Sequence, residues 1–228
     1  MRHQNNVDPC STTLRKNGVM MKKVRLGVLI SGGGTTLQNF IDKAKVGRLN
    51  ADIVVVISSR PNVKGLERAR TAGIDRYVVS RKEFADEATF SRAITDILDR
   101  YKVELVAMAG FLSLYQIPEH FLGRVMNIHP ALLPHFGGKG FFGDRVHKAV
   151  LDSKCTESGC TVHFADNFYD HGPIITQRRV PVFKDDTVDT IRKRVFEEEC
   201  VAYLQAINLF ADSKLDDVAE RLRRAGKK

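Results

Sequence analysis

From Val24 onward, short apolar runs alternate with amphipathic stretches. Val24–Ile30 is broken only by Arg25 and Gly27 and predicts a buried strand. Leu37, Phe40, Ile41 and Ala44 recur at helical spacing, which predicts a helix over 36–46. Residues 52–58 (DIVVVIS) read as a second strand and 65–72 as a second helix, closed by Gly73, a residue suited to the left-handed turn that ends helices. A short third strand is expected at 77–79. A helix over 85–101 carries Phe90, Ala93, Ile94, Ile97 and Leu98 on one side, and strands follow at 105–109 and 125–128. Strands alternating with helices imply βαβ units. The expected class is α/β, an open, mostly parallel, Rossmann-like sheet with helices on both faces. The last third departs from this rhythm. Residues 159–164 and 174–182 read as two strands around a loop, so antiparallel strands are expected near the C-terminus, before a long helix over 186–210.

Composition narrows the picture. The 228 residues are 43% hydrophobic, enough for one well-buried core. No apolar run approaches the roughly 20 residues a membrane crossing needs. Residues 1–23 are polar and lack the apolar centre of a secretory signal, so a disordered extension is expected there. A folded body is expected over 24–215 and a charged tail, with the makings of a frayed helix, over 216–228. The net charge of +9 sits mostly at the ends: residues 1–23 carry +4 and 213–228 carry +3. With no RNA-binding aromatic motif beside it, this charge does not indicate a nucleic-acid partner. The four cysteines lack zinc-site spacing, so free thiols in a reducing cytoplasm and no metal are expected.

Chemistry enters at the turn after the first strand, Ser31-Gly32-Gly33-Gly34-Thr35-Thr36. Glycines let the backbone approach a ligand, and N–H groups at a helix start favour an anion. Thr35 and Thr36 add hydroxyl donors. No Gly-Lys-Ser/Thr follows, so this is not a nucleotide-triphosphate loop. Leu37 stands where a dinucleotide fingerprint has its third glycine, and the second strand ends in Ser58-Ser59-Arg60 rather than a ribose-binding acid. A single phosphate fits better than a pyrophosphate; a glycine turn with no ligand is the alternative.

A second constellation follows the strand at 125–128. Asn127 and His129 are two residues apart, so an extended chain directs both to one face. An amide and an imidazole beyond the carboxyl end of a parallel strand suit acyl transfer, one donating to an oxyanion and the other handling a proton. Asp170, in Tyr169-Asp170-His171-Gly172-Pro173, would raise the imidazole pKa and position water, although Asp-x-Gly-Pro is also good turn chemistry. His163 alternates with apolar neighbours and reads as structural. His147, in an amphipathic stretch, reads as a surface or capping residue.

The segments SGGGTTLQ, GLERARTAG, AMAGFL, NIHPALLP, CTVHF, YDHGPII and QRRVPV occur in one order over about residues 24–215. Together they resemble the folate-dependent formyltransferase family, and within it the phosphoribosylglycinamide formyltransferases. Chain length on either side of the body favours these over transfer-RNA formyltransferases and formyltetrahydrofolate hydrolases. The resemblance implies formyl transfer from 10-formyltetrahydrofolate, a co-substrate, to the amine of glycinamide ribonucleotide in purine synthesis. It implies no metal, no nucleic acid and no membrane, in a monomer or homodimer. Asn127, His129 and Asp170 would be catalytic, and Gly34, Thr35, Thr36 and Glu199 would hold the nucleotide. Leu112, Ser113, Leu114, Tyr115, Asn127 and Asp166 would line the folate pocket. The chain departs from the family pattern at several positions. Members often carry arginine at Ser113 and another near Glu87, and Asn and Ser in the glycine loop. The segment 137–143 (GGKGFFG) replaces a shorter histidine-bearing loop and brings in Lys139.

Overall fold

A computed structural model describes residues 15–16, 19–20 and 23–225. The expectation of disorder over 1–23 falls largely outside the described residues. Within that stretch, Arg15–Lys16 and Val19–Met20 pair as an antiparallel ribbon.

The elements follow the predicted rhythm: β1 (Val24–Ile30), α1 (Thr35–Lys45), β2 (Ala51–Ser58), α2 (Lys64–Thr71), β3 (Arg76–Val78), α3 (Glu87–Arg100), β4 (Leu105–Met108) and β5 (Val125–His129). Then come α4 (Asp144–Asp152), β6 (Glu157–Phe164), β7 (Ile174–Pro181), α5 (Val188–Ala211) and α6 (Asp216–Ala225). The charged C-terminal stretch is therefore a helix, seated through Leu215 and Ala219, which are buried. One seven-stranded sheet runs in the order β3-β2-β1-β4-β5-β6-β7. Strands β1 to β5 pair parallel, while β5–β6 and β6–β7 pair antiparallel.

Residue alternation along β1 explains the two-layer core. Leu26, Val28 and Ile30 face a cluster with α1, α2, α5 and α6 that includes Phe40, Ala69, Tyr203 and Ala219. Leu29 faces the opposite cluster, where α3 supplies Phe90, Ile94 and Leu98. Each fully buried Leu, Ile, Val or Phe among them contributes about 1.5–3 kcal/mol. Tyr203 also ties helix to sheet, its hydroxyl lying 2.8 Å from Met126 O and 3.2 Å from Met108 O.

Strand order positions the site. The chain leaves β1 for β2 on one side, and β4 lies on the other, so the order reverses between β1 and β4. The loops after β1 and β4 part there and leave a crevice beyond the strands' carboxyl ends.

Candidate active site

That crevice is a cavity of about 730 Å³. Its walls are the loop after β1 (residues 32–36), the segment 108–115 after β4, the end of β5, the segment 165–170 and the α4–α5 face.

The start of α1 forms one end. Asp86 caps α3 and Thr187 caps α5 through their side chains, but among the described residues no side chain caps α1. Its first N–H groups have no intrahelical partner and sit at the positive end of the helix dipole. Gly34, the N-cap, is left-handed at φ 67°, and a Cβ there would come within 2.6 Å of Gly65 Cα. Its glycine is thus required by the fold itself. Gly33 is different: a Cβ there meets nothing within 4 Å. Arg68 holds the loop by donating to Gly33 O and Gln38 Oε1, and Arg60 and Lys193 add cations to the cavity wall.

Asp170 is the hub of the other polar cluster. The chain is left-handed at Asp170, φ 52°. Two residues on, Gly172 passes so close to Phe164 O that no Cβ fits, which folds the carboxylate back toward β5. Its Oδ1 accepts from Asn127 Nδ2 at 3.3 Å, and its Oδ2 accepts from Gly138 N at 3.0 Å and lies 3.4 Å from His129 Nδ1. His163 completes the group, with Nε2 at 3.3 Å from Asn127 Nδ2 and 3.7 Å from Asp170 Oδ1. Backbone carbonyls set both tautomers. His163 Nδ1 donates to Phe164 O at 2.9 Å, leaving Nε2 to accept from Asn127. His129 Nε2 donates to Phe136 O at 2.7 Å, so in the neutral ring a bare Nδ1 faces the carboxylate.

Burial lowers the His129 pKa; Asp170 raises it, as expected, but offsets only part of that. For Asp170, burial raises the pKa, but the neighbouring imidazoles of His163 and His129 and the N–H of Gly138 outweigh it, and the pKa is lowered. The resting pair is a carboxylate beside a neutral imidazole.

Most residues predicted for the site line the cavity: Gly34, Thr35, Thr36, Leu112, Ser113, Leu114, Tyr115, Asn127, Asp166, Asp170 and Glu199. Burial pushes the Glu199 carboxyl up to about 7. His129 is brought to Asp170 but is buried behind it rather than forming part of the wall. Asp166 is engaged with His171 Nδ1 at 2.7 Å and Phe168 N at 2.9 Å, which shapes its loop. Two further histidines reach the cavity. His163, expected to be structural, is buried, and it both lines the cavity and contacts Asn127. His147, expected as a surface or capping residue, is instead buried and also lines the cavity. Alternation with apolar neighbours marks a buried face but does not distinguish core from cavity. A register pairing Asn127 with His163 across β5–β6 would have found the first of them.

An amide, a carboxylate and two imidazoles thus line the same cavity as the uncapped start of α1, beyond the carboxyl ends of parallel strands. The chain belongs to the formyl transferase family, whose model matches residues 24–207. Within that family its similarity runs to phosphoribosylglycinamide formyltransferases. It is 36% identical to the chloroplastic enzyme of that name from Arabidopsis thaliana, over 85% of this chain and 68% of the plant protein. It is 40% identical to the trifunctional purine biosynthetic protein adenosine-3 of Bos taurus, over 87% of this chain but only 20% of that protein. The chain thus spans about a fifth of the length of that trifunctional relative. Among solved structures, glycinamide ribonucleotide transformylase 1 from Symbiobacterium toebii superposes with a TM-score of 0.80 at 39% identity, covering 89% of this chain and 94% of that one. Among the described residues, no helix is long and apolar enough to cross a membrane.

Proposed function

We propose that this chain transfers the formyl group of 10-formyltetrahydrofolate to the amine of 5′-phosphoribosylglycinamide, a step of de novo purine synthesis. The observation that carries the reading is the Asn127–Asp170 contact on the wall of a cavity that also contains the uncapped start of α1. The nucleotide phosphate takes the N–H groups of Thr35 and Thr36, with Arg60 and Lys193 beside it, and Glu199 receives the amine end. The apolar wall at Leu112, Leu114 and Phe168 suits the flat rings of the folate, which acts as a co-substrate. Free thiols at Cys155, Cys160 and Cys200 fit a reducing cytoplasm.

The neutral amine attacks the formyl carbon, forming a C–N bond and leaving negative charge on the formyl oxygen. Asn127 Nδ2 stabilises that oxyanion. Its bonds to Asp170 and His163 are long in the resting site, so a stronger acceptor readily replaces one of them. The attacking nitrogen then carries a surplus proton. Asp170 accepts it directly or through water, and His129 Nδ1 shares it, since a proton there turns the facing lone pairs into a charge-assisted hydrogen bond. The proton then passes to N10 of the folate as its bond to the formyl carbon breaks. The amine loses one proton and the departing nitrogen gains one, so the step balances.

A formyl-transfer assay with these two substrates tests the reading. The wild-type chain should turn over, and Asp170→Asn should lower kcat by at least about 10²-fold, the usual scale of positioned proton transfer. The variant also removes the charge that raises the His129 pKa, so the acid limb of kcat/KM should move to lower pH. Absence of transfer, or near wild-type turnover in the variant, would sink the reading.

A further inference from the structure

His147 lies on α4, with 3% of its surface exposed. Among the described residues, its Nδ1 is sealed from solvent with no hydrogen-bond partner, and Nε2 forms none either. His147 is one of the residues that line the cavity. Three charged or titratable groups face it: Asp144, one turn earlier on α4, Arg192 from α5, and His129. Burial lowers its pKa, so the ring is neutral and carries one proton.

Where that proton sits follows from the cost of each choice. On Nδ1 it would be a sealed N–H without an acceptor, at a cost of about 1–3 kcal/mol. On Nε2 it becomes a donor open to the cavity and leaves only a lone pair sealed inside. Native proteins seldom leave a near-buried polar side chain without a partner unless a ligand or water supplies one.

We propose that His147 Nε2–H donates a hydrogen bond to the acceptor nucleotide, to a sugar hydroxyl or carbonyl oxygen, and holds it against the α4–α5 wall. The nucleotide, rather than the folate, is the partner because of its neighbours. Asp144 and Arg192 bind α4 to α5 at 2.9 Å, and this side of the cavity also presents Lys193 and Glu199. The folate wall comes instead from the segments after β4 and β6. This assignment rests on the function proposed above, and it adds a specificity residue to it.

The test combines kinetics, calorimetric binding of glycinamide ribonucleotide and thermal melting. His147→Met removes the unsatisfied nitrogen at similar volume, so it should melt at or above the wild-type temperature. It should nevertheless raise both KM and Kd for the nucleotide by about tenfold, the loss of one hydrogen bond, with the folate KM within about twofold. His147→Gln, whose Nε2 sits near the lost donor, should recover most of the affinity. Unchanged nucleotide affinity in His147→Met overturns the inference. So does an equal rise in both KM values, or a melting temperature that falls together with activity in both variants. A wild-type chain without formyl transfer overturns the function proposed above and this inference with it, whereas normal wild-type transfer with an unmoved nucleotide KM overturns this inference alone.

Discussion

Asn127 divides its two N–H hydrogens between Asp170 Oδ1 and His163 Nε2, both at 3.3 Å. Neither acceptor holds it strongly, yet together they fix the plane of the amide, so the donor is oriented before substrate arrives. Such preorganisation makes an oxyanion donor effective, because little rearrangement is left for the moment charge develops. Asn127→Ala should therefore lower kcat by about 10²–10³-fold with small changes in either KM. Because the residue is only part-buried, the melting temperature should drop little. Steady-state kinetics with a melting control check this. A large rise in nucleotide KM at unchanged kcat would instead make Asn127 a binding residue.

At the scale of elements, the helices and strands were legible because their signals were local. The periodicity of Phe90, Ile94 and Leu98 marks α3, and Val24–Ile30 reads directly as β1. The departures arise where tertiary contacts decide. Helix α6 has a charged sequence, and only its docking through Leu215 and Ala219 makes it part of the fold. Within the site, Asn127 and Asp170 were legible as residue types, but not that His129 would be sealed behind the carboxylate or that His147 would face a cavity. Those facts depend on where the chain after β5 places Phe136 O and Gly138 N, which no spacing encodes. Gly34 teaches a similar lesson: its glycine is explained by φ and by contact with Gly65, so it says nothing about a ligand. The start of α1 is better probed at Gly33, where an added Cβ meets no described residue within 4 Å. Gly33→Val should leave the melting temperature within a few degrees but raise the nucleotide KM by about tenfold or more by obstructing the phosphate. The folate KM should move much less. Equal changes in both would show that the loop does not cradle the phosphate.

For the whole molecule, the site sets a cost on stability that depends on pH, and Glu199 is its clearest source. Burial alone pushes this carboxyl up to about 7 from an ordinary 4.5. Between those values the folded chain keeps a proton that the unfolded chain releases, so this residue's contribution to stability declines as pH rises through the window. Above about 7 both states are ionised and the full cost applies, at most about 3 kcal/mol and less where cavity water screens the charge. The neighbouring thiols Cys160 and Cys200 are pushed up to about 12 and about 11, so they stay neutral throughout and do not confuse the measurement. Glu199→Gln has no charge to bury. Melting curves of wild type and variant should differ little in the direction of pH dependence near pH 4.5, then diverge, with the variant gaining several degrees by pH 8. Buried histidines with lowered pKa values add their own slope on the acid side, but they are common to both proteins and cancel in the difference. The gain should carry a functional loss, as stabilising a strained site often does. At pH 8 glycinamide ribonucleotide brings an amine toward the bare carboxylate, so it should raise the wild-type melting temperature more than that of the variant. A difference between the two proteins that stays constant from pH 4.5 to 8.5 would mean Glu199 is ionised at no special cost, and its place opposite the amine would lose its support.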